Sequence, residues 1–116
     1  MTCEVTLDIC GRRIALAVPL GAWEELARAG HDKPLTLERA LREGTWTLAQ
    51  AVDAFGIALK HGKSGLAASE AIAAHGLLAC AQFAHAAVIA GLVPDEDGAK
   101  KNDAEPEPEA TKSPSG

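Results

Sequence analysis

The first eighteen residues alternate between apolar and polar positions. Val5, Leu7 and Ile9 fall on one face of an extended segment and Thr6, Asp8 and Cys10 on the other, the period of two expected of a half-buried strand. After Gly11-Arg12 the alternation resumes with Ile14, Leu16 and Val18. A two-residue turn at Gly11-Arg12 pairs Ile9 with Ile14, Leu7 with Leu16 and Val5 with Val18, which gathers all six on one face. Glycine at the first central position suits a type II′ turn. A lone hairpin is marginal in water, so helices beyond Pro19 must cover this face.

Beyond Pro19 the period becomes helical. Gly21 to Ala29 places Trp23, Leu26 and Ala27 on one side and the i,i+4 pair Glu24 and Arg28 on a solvated side, with Gly30 as C-terminal cap. A second helix is expected to start with Thr36 as N-cap, to bury Leu37, Ala40 and Leu41, to carry Glu38 and Arg42 as a second solvated pair, and to stop at Gly44. Thr47 and Gln50 read as a capping box, with Trp46 at the staple position opposite Ala51. The helix they open has Leu48, Val52, Phe55 and Leu59 as its core stripe, Gln50, Asp53 and Lys60 as its polar side, and Gly62 as its end. A fourth, alanine-rich helix runs from about Gly65 to His75, with Ser64 as N-cap, and is broken by Gly76. The fifth, from about Leu77 to Ala90, is apolar on nearly every side, which marks a central helix or one that is partly an interface.

The pattern predicts an α+β fold, mostly α: an N-terminal β-hairpin (3–18) packed on about five short helices (21–92) in one domain, 1–93. Length agrees, since 116 residues hold one core. Residues 94–116 offer no large apolar side chain to bury and read as a disordered acidic tail. Charge divides the same way. Up to Val93 there are eight Lys and Arg against nine Asp and Glu (8 − 9 = −1), and from Pro94 onward three against seven (3 − 7 = −4). The near-neutral body lacks the basic stripe that phosphate neutralisation needs, so no nucleic acid is expected as a partner. The segment 77–93 is short for a membrane span and is interrupted by Gln82 and His85, and the N-terminus carries no secretory pattern, so no membrane partner and a cytoplasmic location are expected.

Candidate chemistry is sparse. Cys3, Cys10 and Cys80 are odd in number and read as free thiols. Gly62-Lys63-Ser64 resembles the end of a phosphate-binding loop, but the required upstream glycine position is Ile57 and the segment before it is helical. His75, Cys80 and His85 stand five apart, roughly 140° around a helix at each step, and so do not converge on a metal. His31 and His61 lie near helix ends, where imidazoles meet terminal carbonyls. No activating environment for a cysteine nucleophile and no spacing of paired carboxylates is evident, so the sequence predicts no catalytic residues, no cofactor and no metal. What is left is contact surface, and Phe83, Val88 and Ile89 are the candidates for it.

The run Glu4-Val-Thr-Leu-Asp-Ile-Cys-Gly-Arg-Arg-Ile-Ala-Leu-Ala-Val, followed by Trp23-Glu-Glu-Leu-Ala-Arg-Ala-Gly30 and helices broken at Gly44, Gly62, Gly76 and Gly91, resembles the tail assembly chaperones of gene transfer agents and related siphophages over about residues 4–92. The chain departs from that pattern at Pro19-Leu20-Gly21 and in the alanine content of its last two helices. The resemblance implies a factor in the bacterial host cytoplasm that binds the tape measure protein, the tail tube protein, or both, and that is absent from the finished particle. It also allows a homo-oligomer. Chaperones of this kind are often made in two lengths, and Lys100-Lys101 would mark a frameshift site if their codons are adenine-rich. Two other readings are a structural tail component, such as a tube or joining protein, and a small regulatory adaptor.

Overall fold

The computed structural model describes residues 3–93. Two strands, β1 (Glu4–Ile9) and β2 (Arg12–Ala17), form an antiparallel hairpin, and five helices follow: α1 (Leu20–Arg28), α2 (Pro34–Glu43), α3 (Leu48–Gly62), α4 (Ala68–His75) and α5 (Leu77–Leu92). The α+β, mostly helical class is therefore the observed one. The acidic segment after Val93, with its expected disorder and its Lys100-Lys101 pair, lies outside the described residues.

The hairpin keeps the expected face but not the expected register. Leu7 pairs with Ile14, Val5 with Leu16 and Ile9 with Arg12, so the turn is Cys10-Gly11. Both turn residues have positive φ, 55° and 74°, the type I′ geometry whose twist matches that of the flanking strands, and Gly11 adopts it without strain. A slip of two residues leaves every side chain on its own face. Ile9, Ile14, Leu16 and Val18 are thus buried together, with Val5 and Leu7 half-buried beside them.

α3 and α5 pack on the hairpin and on each other, and Phe55, Ala58, Leu59, Ala84 and Val88 join the strand residues in one core. Two glycines permit the approach. A Cβ at Gly62 would lie 2.0 Å from the Ala15 carbonyl oxygen, and one at Gly91 would lie 2.6 Å from the Val18 oxygen. Gly62 is thus still helical, and the left-handed residue that ends α3 is Lys63.

Helix ends obey local chemistry with some corrections. Gly30 closes α1 in a Schellman arrangement: its N–H donates to the Ala27 carbonyl, and the His31 N–H donates to that of Leu26. The Thr47–Gln50 capping box is present in both directions. Thr36 is not a cap, because α2 starts at Pro34 with Lys33 in the cap position, three residues earlier. The Ser64 hydroxyl accepts from the Leu66 N–H in a local turn, and α4 begins only at Ala68. Three core assignments fail. Val52 is only half-buried and lies outside the core. Ala27 is exposed, and Leu48, in the first turn of α3, is 63% exposed, while Ala51, Ala54 and Ala58 form the buried stripe with Phe55 and Leu59.

Candidate functional site

α2 and α5 pack together along a seam bordered by exposed apolar side chains. On α5, Leu78, Gln82, His85 and Ile89 fall within about 60° of one another around the axis. Leu78 is 65% exposed and Ile89 37%, and Val93 is exposed just past the helix end. On α2, Leu35, Glu38 and Arg42 share one side at i, i+3 and i+7 spacing. The two sides meet where His85 Nε2 donates to Glu38 Oε2 at 3.0 Å, while Arg42 Nε donates to the same oxygen at 2.8 Å. The Arg42 hydrogen bond, followed by that of His85, holds the Glu38 carboxyl down at about 2. A carboxylate saturated by its own neighbours is a fixed anchor, and the exposed Leu35, Leu78 and Ile89 flank it.

This corrects the reading of Glu38 and Arg42 as a solvated pair, since the Glu38 side chain is only 12% exposed and bridges two helices. Two of the other histidines, His61 and His31, behave alike. His61 of α3 meets Glu25 of α1 at 2.8 Å, with Lys60 on the same carboxylate, and these two donors, Lys60 first, hold Glu25 below the usual carboxylate range. His31 meets Asp53 of α3 at 2.9 Å. Both imidazoles therefore engage carboxylates on other segments and not helix-end carbonyls. Glu25, and not the exposed Glu24, is the structural acid of α1.

Of the three contact residues expected from sequence, one remains at the surface. Val88 is fully buried in the core and has no face to offer. Phe83 is half-buried, with its ring centroid 6.2 Å from Phe55 and 5.6 Å from His75 in an edge-on approach. Ile89 is exposed. Helix periodicity separates Val88 from Ile89 by about 100°, but which of the two faces inward depends on where β2 lies, and that is not local information. Sequence reasoning missed Leu78 and Leu35; each stands in the first turn of its helix, ahead of the buried stripe.

His75, Cys80 and His85 occupy three different environments. His75 Nε2 accepts from the Cys10 backbone N–H at 2.9 Å, which ties α4 to the hairpin turn and fixes the ring proton on Nδ1. Cys80 is buried, and that burial pushes its thiol up. His85 is held by Glu38. Gly62-Lys63-Ser64 is the end of α3 and a local turn, not a loop that could wrap a phosphate. Beside the hairpin tip an open cleft of about 530 Å³ is lined by Cys10, Arg12, Leu66, Glu70, Ala73 and Ala74. Among the described residues no helix is long and apolar enough to cross a membrane. No family model, curated protein or solved structure matches the chain.

Proposed function

We propose that this chain is a tail assembly chaperone of the gene transfer agent type, working in the bacterial cytoplasm, and that the α2–α5 seam holds a helical segment of the tape measure or tail tube protein until the tube forms. The observation that carries the reading is the line of exposed Leu78 and Ile89 beside Leu35, set around the Glu38–His85–Arg42 anchor. An amphipathic client helix presents apolar residues at i, i+3 or i+4 and i+7, and Leu78 and Ile89, three turns apart on one side of α5, together with Leu35 of α2 offer it apolar contacts around the polar Gln82 and His85. A short hairpin closed by a glycine-containing turn, with helices stopped at Gly44 and Gly76, supports the same reading through the family resemblance, although Gly62 and Gly91 lie within α3 and α5 and do not break them.

The test is co-expression with the tape measure protein encoded beside this chain. Soluble tape measure protein that co-purifies with the chain, and that is lost with Leu78→Ser and Leu35→Ser at nearly unchanged melting temperature, is the expected result. Mass spectrometry of purified particles supplies the second arm. Abundant peptides from this chain in the particle would replace the chaperone reading with a structural tail component.

A further inference from the structure

We infer that the outer edge of β1 is a docking site for an extended, basic segment of a partner protein, which adds to the hairpin as a third strand. With Ile9 and Arg12 flanking a two-residue turn, odd-numbered residues of β1 bond to β2, as the Val18 N–H donating to the Cys3 carbonyl at 2.7 Å also requires. The N–H and C=O groups of Glu4, Thr6 and Asp8 therefore point away from β2, and among the described residues no backbone group bonds to them.

The two edges of the hairpin are treated differently. On β2 the outward carbonyl of Ala15 lies against Gly62, so α3 closes that edge. On β1 the edge is open among the described residues, and its inner face is partly unfinished as well. Ile9 at the turn end of β1 is buried with Ile14, Leu16 and Val18, whereas Val5 and Leu7 are only half-buried. A strand laid beside β1 would place its alternate residues next to Val5 and Leu7 and complete the cover.

Charge selects the occupant. Residues opposite Glu4, Thr6 and Asp8 would share the solvent face with them at the close spacing of paired strands. Glu4 is exposed and in no ion pair among the described residues, and Asp8 shares its charge with Arg13 at 3.1 Å. The complementary segment reads basic–apolar–polar–apolar–basic. A second copy fits badly, because antiparallel β1 strands centred on Thr6 would set Glu4 against Asp8 twice. The chain's own segment after Val93 has the wrong sign, at 3 − 7 = −4.

The inference does not rest on the tail-assembly reading and fails or stands separately from it. The probe is a capped peptide with the core Lys-Val-Thr-Val-Lys, compared with Glu-Val-Thr-Val-Glu, titrated into the full chain and monitored by calorimetry and amide hydrogen exchange. Saturable binding of the basic peptide at sub-millimolar concentration is expected, with exchange slowed at Glu4, Thr6 and Asp8 and unchanged at Val5 and Leu7, which already bond to β2. The acidic peptide is expected to bind about tenfold more weakly, and Glu4→Lys to reverse that preference. Thr6→Pro removes only an outward donor, so it should abolish binding while the hairpin persists. Should Thr6→Pro fail to fold, the Glu4→Lys exchange of preference decides alone. Equal binding of the two peptides, no slowing at the three outward amides, or slowing there through self-association of the chain would each overturn the inference.

Discussion

Two glycines of α3 should respond to alanine in opposite directions. Gly56 is mid-helix, and a Cβ there would meet nothing within 4 Å. Gly56→Ala should therefore give the ordinary helix-propensity gain of about 1 kcal/mol, or about 4–8 °C in melting temperature for a domain of this size. At Gly62 the new carbon would sit 2.0 Å from the Ala15 oxygen, where ordinary contact begins at 3.4 Å. The obstacle is backbone and cannot rotate aside. α3 must lift by roughly an ångström or more, and a gap of that size forfeits a large part of the dispersion energy across the contact. The residues affected include Phe55, Ala58 and Leu59, all buried. Overpacking of this kind costs about 2–3 kcal/mol, so Gly62→Ala should melt about 10 °C or more below the parent. Thermal unfolding of both variants, read by circular dichroism, is the assay. A Gly62→Ala protein as stable as Gly56→Ala would refute the placement of α3 directly on β2.

The same geometry sets three further outcomes. Thr47→Ala removes the acceptor for the Gln50 N–H and should cost about 1 kcal/mol in urea unfolding, with Ser at the same position restoring most of it. Val88→Ala should cost about 2 kcal/mol, whereas Ile89→Val should move the urea midpoint far less; the reverse order would mean that α5 is rotated. The folded Glu38 carboxyl is lowered, so its stabilising contribution is present above the unfolded value of 4.5 and is lost as pH falls from there through about 2. Glu25 is lowered too, by Lys60 first and then His61, and acts in the same direction. Glu38→Gln should therefore be less stable than the parent at neutral pH and lose less stability on acidification, and an identical acid limb in both proteins would exclude the role given to this carboxylate.

The hairpin and five helices were legible because their signals are local. Alternation names a strand face, and a capping box names a helix start. The register was not legible, because a shift of two residues preserves the hydrophobic face and only turn geometry decides. Leu48 misled because an apolar residue in a first turn lies ahead of the buried stripe. The histidine contacts were out of reach for a different reason. His31 with Asp53, His61 with Glu25 and His85 with Glu38 join positions 22, 36 and 47 residues apart, and no spacing rule links such pairs. Burial of Val88 beside exposed Ile89 was hidden likewise, since an all-round apolar helix has no moment to orient it.

The contact between Gly91 and Val18 also sets a clock for synthesis. The ribosome must add 91 − 18 = 73 residues after Val18 before α5 can reach it, which takes about 4–15 s at ordinary elongation rates. Through that interval the strands have made their side chains but lack the last helix that shields them, so Ile9, Leu16 and Val18 emerge as a sticky nascent segment. A messenger truncated before the codons of α5 would leave its product in that condition permanently, fit for aggregation or proteolysis.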